Sequence, residues 1–122
     1  MSLRLAFISD IHVDYQMEAV GLVAGRLAEL EPDVFVVAGD VSPDPRMIEK
    51  TLSLLSEVGP PTLFVPGNHD LWCRSPRHGD SPPRGPDSRE LYEEVLPMLA
   101  SRAGAIYLPA APWVHGDVGF VG

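Results

Sequence analysis

Apolar residues gather in short runs along this chain, and the stretches between the runs carry helical spacing. Residues 3–9 (LRLAFIS), 33–38 (DVFVVA) and 62–65 (TLFV) are nearly all apolar. Runs of this length and composition predict strands buried on both faces of a parallel sheet. Over residues 15–30, Met17, Val20, Val23, Leu27 and Leu30 recur at helical spacing, with Asp14 as the expected N-cap and Pro32 ending the helix. Residues 45–58 carry a second stripe of Ile48, Leu52, Leu55 and Val58, opened by Asp44 at the cap and Pro45 at the first helical position. The fold class is therefore α/β: a βαβαβ unit whose parallel-centred sheet has flanking helices.

The second half is less regular. Residues 74–87 (RSPRHGDSPPRGPD) hold four prolines and no other apolar residue. They predict an exposed loop, long for a compact domain. A helix is expected from Ser88, with Leu91, Val95, Met98 and Leu99 inward and a kink or early stop at Pro97. Residues 105–108 predict a further strand. Residues 112–115 and 118–121 predict a hairpin turning at Gly116-Asp117.

Composition narrows the function classes. The chain has 122 residues, 45% of them apolar and 21% charged, which fits one globular domain. No apolar run approaches the roughly 18 residues of a membrane span, and no secretory leader pattern opens the sequence. Cys73 stands alone, so no disulfide framework is possible, and a reducing, cytoplasmic compartment is the expectation. Seventeen acids against nine bases give a net charge of -8. Such a surface repels a phosphate backbone and argues against passive nucleic-acid binding. It suits a site that gathers cations.

The candidate chemistry lies at the strand ends. The first strand runs into Asp10 and His12, the second into Gly39-Asp40, and the third into Gly67-Asn68-His69-Asp70. In an open α/β sheet, ligands bind beyond the carboxyl ends of the strands, so these residues should converge on one edge. Gly39 and Gly67 should free the backbone to turn there. Carboxylate, amide and imidazole donors form a mixed oxygen and nitrogen set that suits Mn, Fe, Zn or Mg. Asp10 and His12, two apart, can reach one ion. A carboxylate such as Asp40 can bridge two ions about 3.5–4 Å apart. An aspartate after a strand is by itself usually a turn former or helix cap, but three such motifs in register outweigh that reading.

In order and separation, these three motifs resemble those of the calcineurin-like metallophosphoesterases. The resemblance implies a four-layer α/β/β/α sandwich, with residues 1–122 as the N-terminal part of its domain. It implies two divalent metal ions: Asp10 and His12 binding the first, Asp40 bridging, and Asn68 binding the second. It implies that His69 is no ligand but stands beside the scissile phosphate of a phosphate-ester substrate and assists the leaving group. Asp70 or Asp44 would orient His69, and both stay open. Family members carry a later Gly-His-x-His block, whereas the histidines after Asn68 here are His69, His78 and His115. A C-terminal segment, a partner or self-association is therefore expected to complete the domain. The alternative is a non-catalytic module of the same fold that acts through protein contacts.

Other residues read more plainly. His115 is expected in the hairpin, and Trp72 and Cys73 as packing residues. His78 with Arg74, Arg77 and Arg84 suits either a solvated loop or a clamp on substrate phosphate. No Gly-x-Gly-x-x-Gly or Gly-Lys-Ser/Thr block follows a strand, which sets aside dinucleotide and P-loop readings.

Overall fold

The pleat sorts each apolar run into two faces, and the computed structural model, which describes residues 2–72 and 85–122, shows what covers each. In chain order the elements are β1 (Leu5–Ile8), α1 (Ala19–Leu30), β2 (Val34–Ala38), α2 (Pro45–Ser56) and β3 (Thr62–Val65). A 3₁₀ turn (His69–Leu71) follows, then α3 (Ser88–Glu90), a π-helical turn (Leu91–Val95) and α4 (Leu96–Ala103). β4 (Ile106–Tyr107) and the hairpin β5 (Trp113–His115) and β6 (Val118–Phe120) complete the described chain. Cys73, most of the Pro-rich loop and the group of His78 with Arg74, Arg77 and Arg84 lie outside the described residues.

β1 to β4 form one parallel sheet in sequence order, with Ala6 opposite Phe35, Val37 opposite Phe64, and Phe64 opposite Tyr107. These residues pack against Val20 and Leu27 of α1, Ile48, Leu52 and Leu55 of α2, and Leu96, Leu99 and Ala100 of α4. On the opposite face Val34, Val36, Leu63, Val65 and Ile106 pack under Trp113 and Phe120 of the hairpin. The hairpin does not reach the edge strand. β1 therefore corrects the expectation of burial on both faces: Leu5 is 49% and Phe7 79% exposed.

Local chemistry accounts for the boundaries. α2 begins as predicted, with the Asp44 carboxylate accepting the Arg46 N–H at 3.0 Å and Pro45 at the first helical position. α1 ends as predicted, at Glu31 in the left-handed region ahead of Pro32. Its start is corrected: the helix opens at Ala19, and Asp14 is not its cap. The preceding segment is still tied to the β2 end, because the Val13 N–H donates to the Val41 carbonyl at 2.9 Å.

The last helical stretch continues through Pro97 by way of the π turn. In that register the Leu96 N–H donates to Leu91, five residues back, and the Tyr92 carbonyl would need an N–H that Pro97 lacks. The Tyr107 hydroxyl supplies the donor instead, at 2.8 Å. The wider turn also shifts the helical phase. Leu96 is buried where Met98 was expected, and Met98 is 52% exposed.

Candidate metal centre

The polar residues converge because the parallel pairing of β1 and β2 continues past the strand ends. Asp10 N–H donates to the Gly39 carbonyl and His12 N–H to the Asp40 carbonyl, both at 3.1 Å. Asp10, His12 and Asp40 all take positive φ, at 59°, 47° and 56°. Side-chain-bearing residues rarely hold that region outside turns and functional sites. The result is a cluster: one donor atom each from Asp10, His12 and Asp40 lies within 4.8 Å of the others. His12 Nε2 is 3.6 Å from Asp10 Oδ1. The Ser9 hydroxyl, with smaller help from Asp40 and His12, holds the exposed Asp10 carboxyl below the usual carboxylate range.

The β3 end approaches Asp40 from the other side. His69 N–H donates to Asp40 Oδ1 at 3.1 Å. The Asn68 side-chain amide lies against the Asp40 carboxylate and donates its N–H there, 3.1 and 3.3 Å from the two oxygens. The glycines differ in purpose. Gly39 has φ of 81°, as a sharp turn requires, and a side chain on it would meet the Gly67 Cα at 2.7 Å. Gly67 has no positive φ. It is needed for close approach, since a Cβ there would lie 2.7 Å from the Asp40 nitrogen.

Asp70 is fully buried below this cluster. Its oxygens accept N–H groups from Asp40, Val41 and Gly67 at 2.8 Å and from Ser42 at 3.0 Å. None of these bonds goes to the His69 imidazole. Burial pushes the Asp70 carboxyl pKa up, against the pull of the four N–H donors. His69 instead meets rings. Trp72 stacks on it with centroids 3.8 Å apart, and His12 meets it edge-on at 4.9 Å. This corrects the reading of Trp72 as a packing residue, because Trp72 is 51% exposed and lies beside the site. The available signal was its spacing: three residues after His69, the two side chains eclipse across a 3₁₀ turn. His115 lies in β5 and is not part of the cluster.

The donor set fits hard or borderline divalent cations, because two carboxylates and an imidazole converge with the Asn68 amide group beside Asp40. Among the described residues no helix is long and apolar enough to cross a membrane.

Comparison with known proteins agrees with this arrangement. A probable cyclic nucleotide phosphodiesterase from Synechococcus sp. is 34% identical over 82 residues, covering 57% of this chain and 32% of that protein. The crystal structure of a phosphopantetheinyl hydrolase from Mycobacterium tuberculosis superposes with a TM-score of 0.67 at 28% identity. That match covers 93% of this chain and 38% of the hydrolase, so the chain spans about a third of each protein it matches. The model of the calcineurin-like phosphoesterase family matches residues 3–120, nearly the whole sequence. With its parallel sheet and strand-end cluster, this chain belongs to the calcineurin-like phosphoesterase family.

Proposed function

We propose that this chain forms the N-terminal part of a metallophosphoesterase domain that hydrolyses phosphate esters at a two-metal site. The observation that carries the proposal is the convergence of Asp10, His12 and Asp40 within 4.8 Å, with the Asn68 side-chain amide against Asp40. In this reading Asp10 and His12 hold one divalent ion, Asp40 bridges, and Asn68 holds the second. Mn, Fe, Zn and Mg all suit the donors. When bound, such a pair supplies Lewis acidity to the phosphoryl oxygens and makes water acidic enough to act near neutral pH.

The chain's own residues have separate duties. Asp40 is held by the His69 N–H, which fixes its carboxylate between the strand ends. His69 donates a proton from its imidazole to the departing oxygen, a contribution of about 10²–10⁴-fold for a positioned acid. Asp70 supports both from below, by anchoring the Asp40 and Gly67 backbones. The covering of Leu5 and Phe7 on the open sheet face falls to a further segment or a partner chain. A relative described as a phosphodiesterase makes diesters the first substrates to try.

Calorimetry with Mn²⁺ tests the site. Wild type should bind the ion, and Asp40→Ala should lose more affinity than Asp10→Ala or Asn68→Ala, because only Asp40 would touch both ions. Equal affinity in wild type and Asp40→Ala removes the assignment. In the metal-loaded protein, His69→Ala should lower hydrolysis of bis(p-nitrophenyl) phosphate at unchanged metal occupancy.

A further inference from the structure

A leaving-group acid works only if its ring is held in one orientation, and in many enzymes a carboxylate hydrogen-bonded to the imidazole does this. His69 has no such bond among the described residues. Its backbone N–H goes to Asp40, and its ring contacts are aromatic. Asp70, one residue on, has both oxygens committed to backbone N–H groups.

The aromatic contacts are not incidental to the backbone. Residues 69–71 form a 3₁₀ turn, and the Trp72 N–H donates back to the His69 carbonyl at 3.2 Å. At three residues per turn, side chains at positions 69 and 72 eclipse. The indole and imidazole planes lie 25° apart with centroids at 3.8 Å, a stacked pair. The His12 ring also meets His69, at 65° with centroids 4.9 Å apart. His69 therefore contacts two rings, stacked on Trp72 and edge-on with His12.

We propose that Trp72 is a positioning residue that holds the His69 imidazole by stacking, in the place where a carboxylate would otherwise orient it. This rests on the reading of His69 as the acid that serves the leaving group. Trp72 is half-exposed, so its duty is to the neighbouring ring more than to the core. Replacing it with an aliphatic residue removes the platform and leaves the fold in place.

Two measurements test the proposal. The first uses the metal-free chain and reads the ring resonances of His69 by NMR. In wild type they should carry the upfield ring-current shift of a stacked indole. Trp72→Leu should abolish that shift, and Trp72→Tyr should keep part of it. Identical His69 resonances in wild type and Trp72→Leu would overturn the stack.

The second uses the metal-loaded protein and compares Trp72→Leu, Trp72→Tyr, His69→Ala and the double variant. Trp72→Leu should lower kcat on the order of ten-fold with KM and Mn²⁺ occupancy unchanged, because misorientation of a proton donor weakens only the chemical step. The loss should be larger for an ester of an aliphatic alcohol than for a nitrophenyl ester, whose leaving group needs less protonation. Trp72→Tyr should recover most of it. In the His69→Ala background Trp72→Leu should cost nothing further. Full additivity of the two losses would overturn positioning through His69. If instead His69→Ala leaves turnover intact, the leaving-group reading itself fails, and the NMR shift still reports separately whether the stack exists.

Discussion

The buried carboxylate of Asp70 accepts the backbone N–H of Asp40 at 2.8 Å, so the central acid of the candidate cluster is fixed by another acid thirty positions further on. The same carboxylate takes the N–H groups of Val41, Ser42 and Gly67. It joins the end of β2 to the end of β3 across the sheet edge where ligands of α/β proteins bind.

Asp70→Ala would leave those four N–H groups without their acceptor in a buried setting. A buried donor left unsatisfied costs about 1–3 kcal/mol, and water entering the new space offsets part of the total. The expected loss of stability is about 3 kcal/mol in urea denaturation. Asp70→Asn keeps one acceptor oxygen and should lose roughly half as much. Mn²⁺ affinity should fall in both variants although neither changes a proposed ligand. A loss below about 1 kcal/mol with affinity retained would show that the clamp does not hold the loops.

Much of this arrangement was legible in the chain because it depends on local rules. Asp44-Pro45 states where α2 begins, and Pro32 where α1 ends. Asp10, Asp40 and Asn68 could be placed together because each follows a buried apolar run, and parallel strands bring their ends to one edge. What failed depended on distant partners. Leu5 and Phe7 look like core residues, and only the reach of the hairpin decides that they are not. The inward positions around Met98 moved because Pro97 forces a π turn, which no helical-wheel count anticipates. The role of Asp70 was hidden because its partners are main-chain groups, which every residue type carries.

Phe7 gives a direct measure of the open sheet face. Its side chain is 79% exposed, so Phe7→Ser in the 122-residue chain should change stability by less than about 0.5 kcal/mol. Binding of a hydrophobic dye and concentration-dependent light scattering should both decrease, because the patch with Leu5 is interrupted. In a protein where a further segment covers this face, the same substitution should cost about 3 kcal/mol, as for truncation of a buried aromatic. Unchanged dye binding and scattering in the 122-residue chain would mean that this face is not an exposed apolar patch.

Tyr107 links the stability of the fold to alkaline pH. Its ring lies in the core against Phe64, and its hydroxyl donates to the Tyr92 carbonyl at 2.8 Å. Burial pushes its pKa up from the ordinary value of 10.0, and nearby Tyr92 and Asp70 push in the same direction. The native state thus keeps a proton that the unfolded chain releases above pH 10. More protons bound in the native state means that stability falls as pH rises. The contribution is fully present below the unfolded pKa and is lost progressively above it, at up to about 1.4 kcal/mol per pH unit. Tyr107→Phe removes this titration. It also leaves the Tyr92 carbonyl, which the π turn and Pro97 have deprived of a helical partner, without a donor. At pH 8 the variant should therefore be less stable by about 1 kcal/mol. Between pH 10 and pH 11 wild type should lose about 1 kcal/mol more than the variant, so the two denaturation midpoints approach each other. Parallel curves for the two proteins across that range would show that Tyr107 ionises as freely in the folded chain as in the unfolded one.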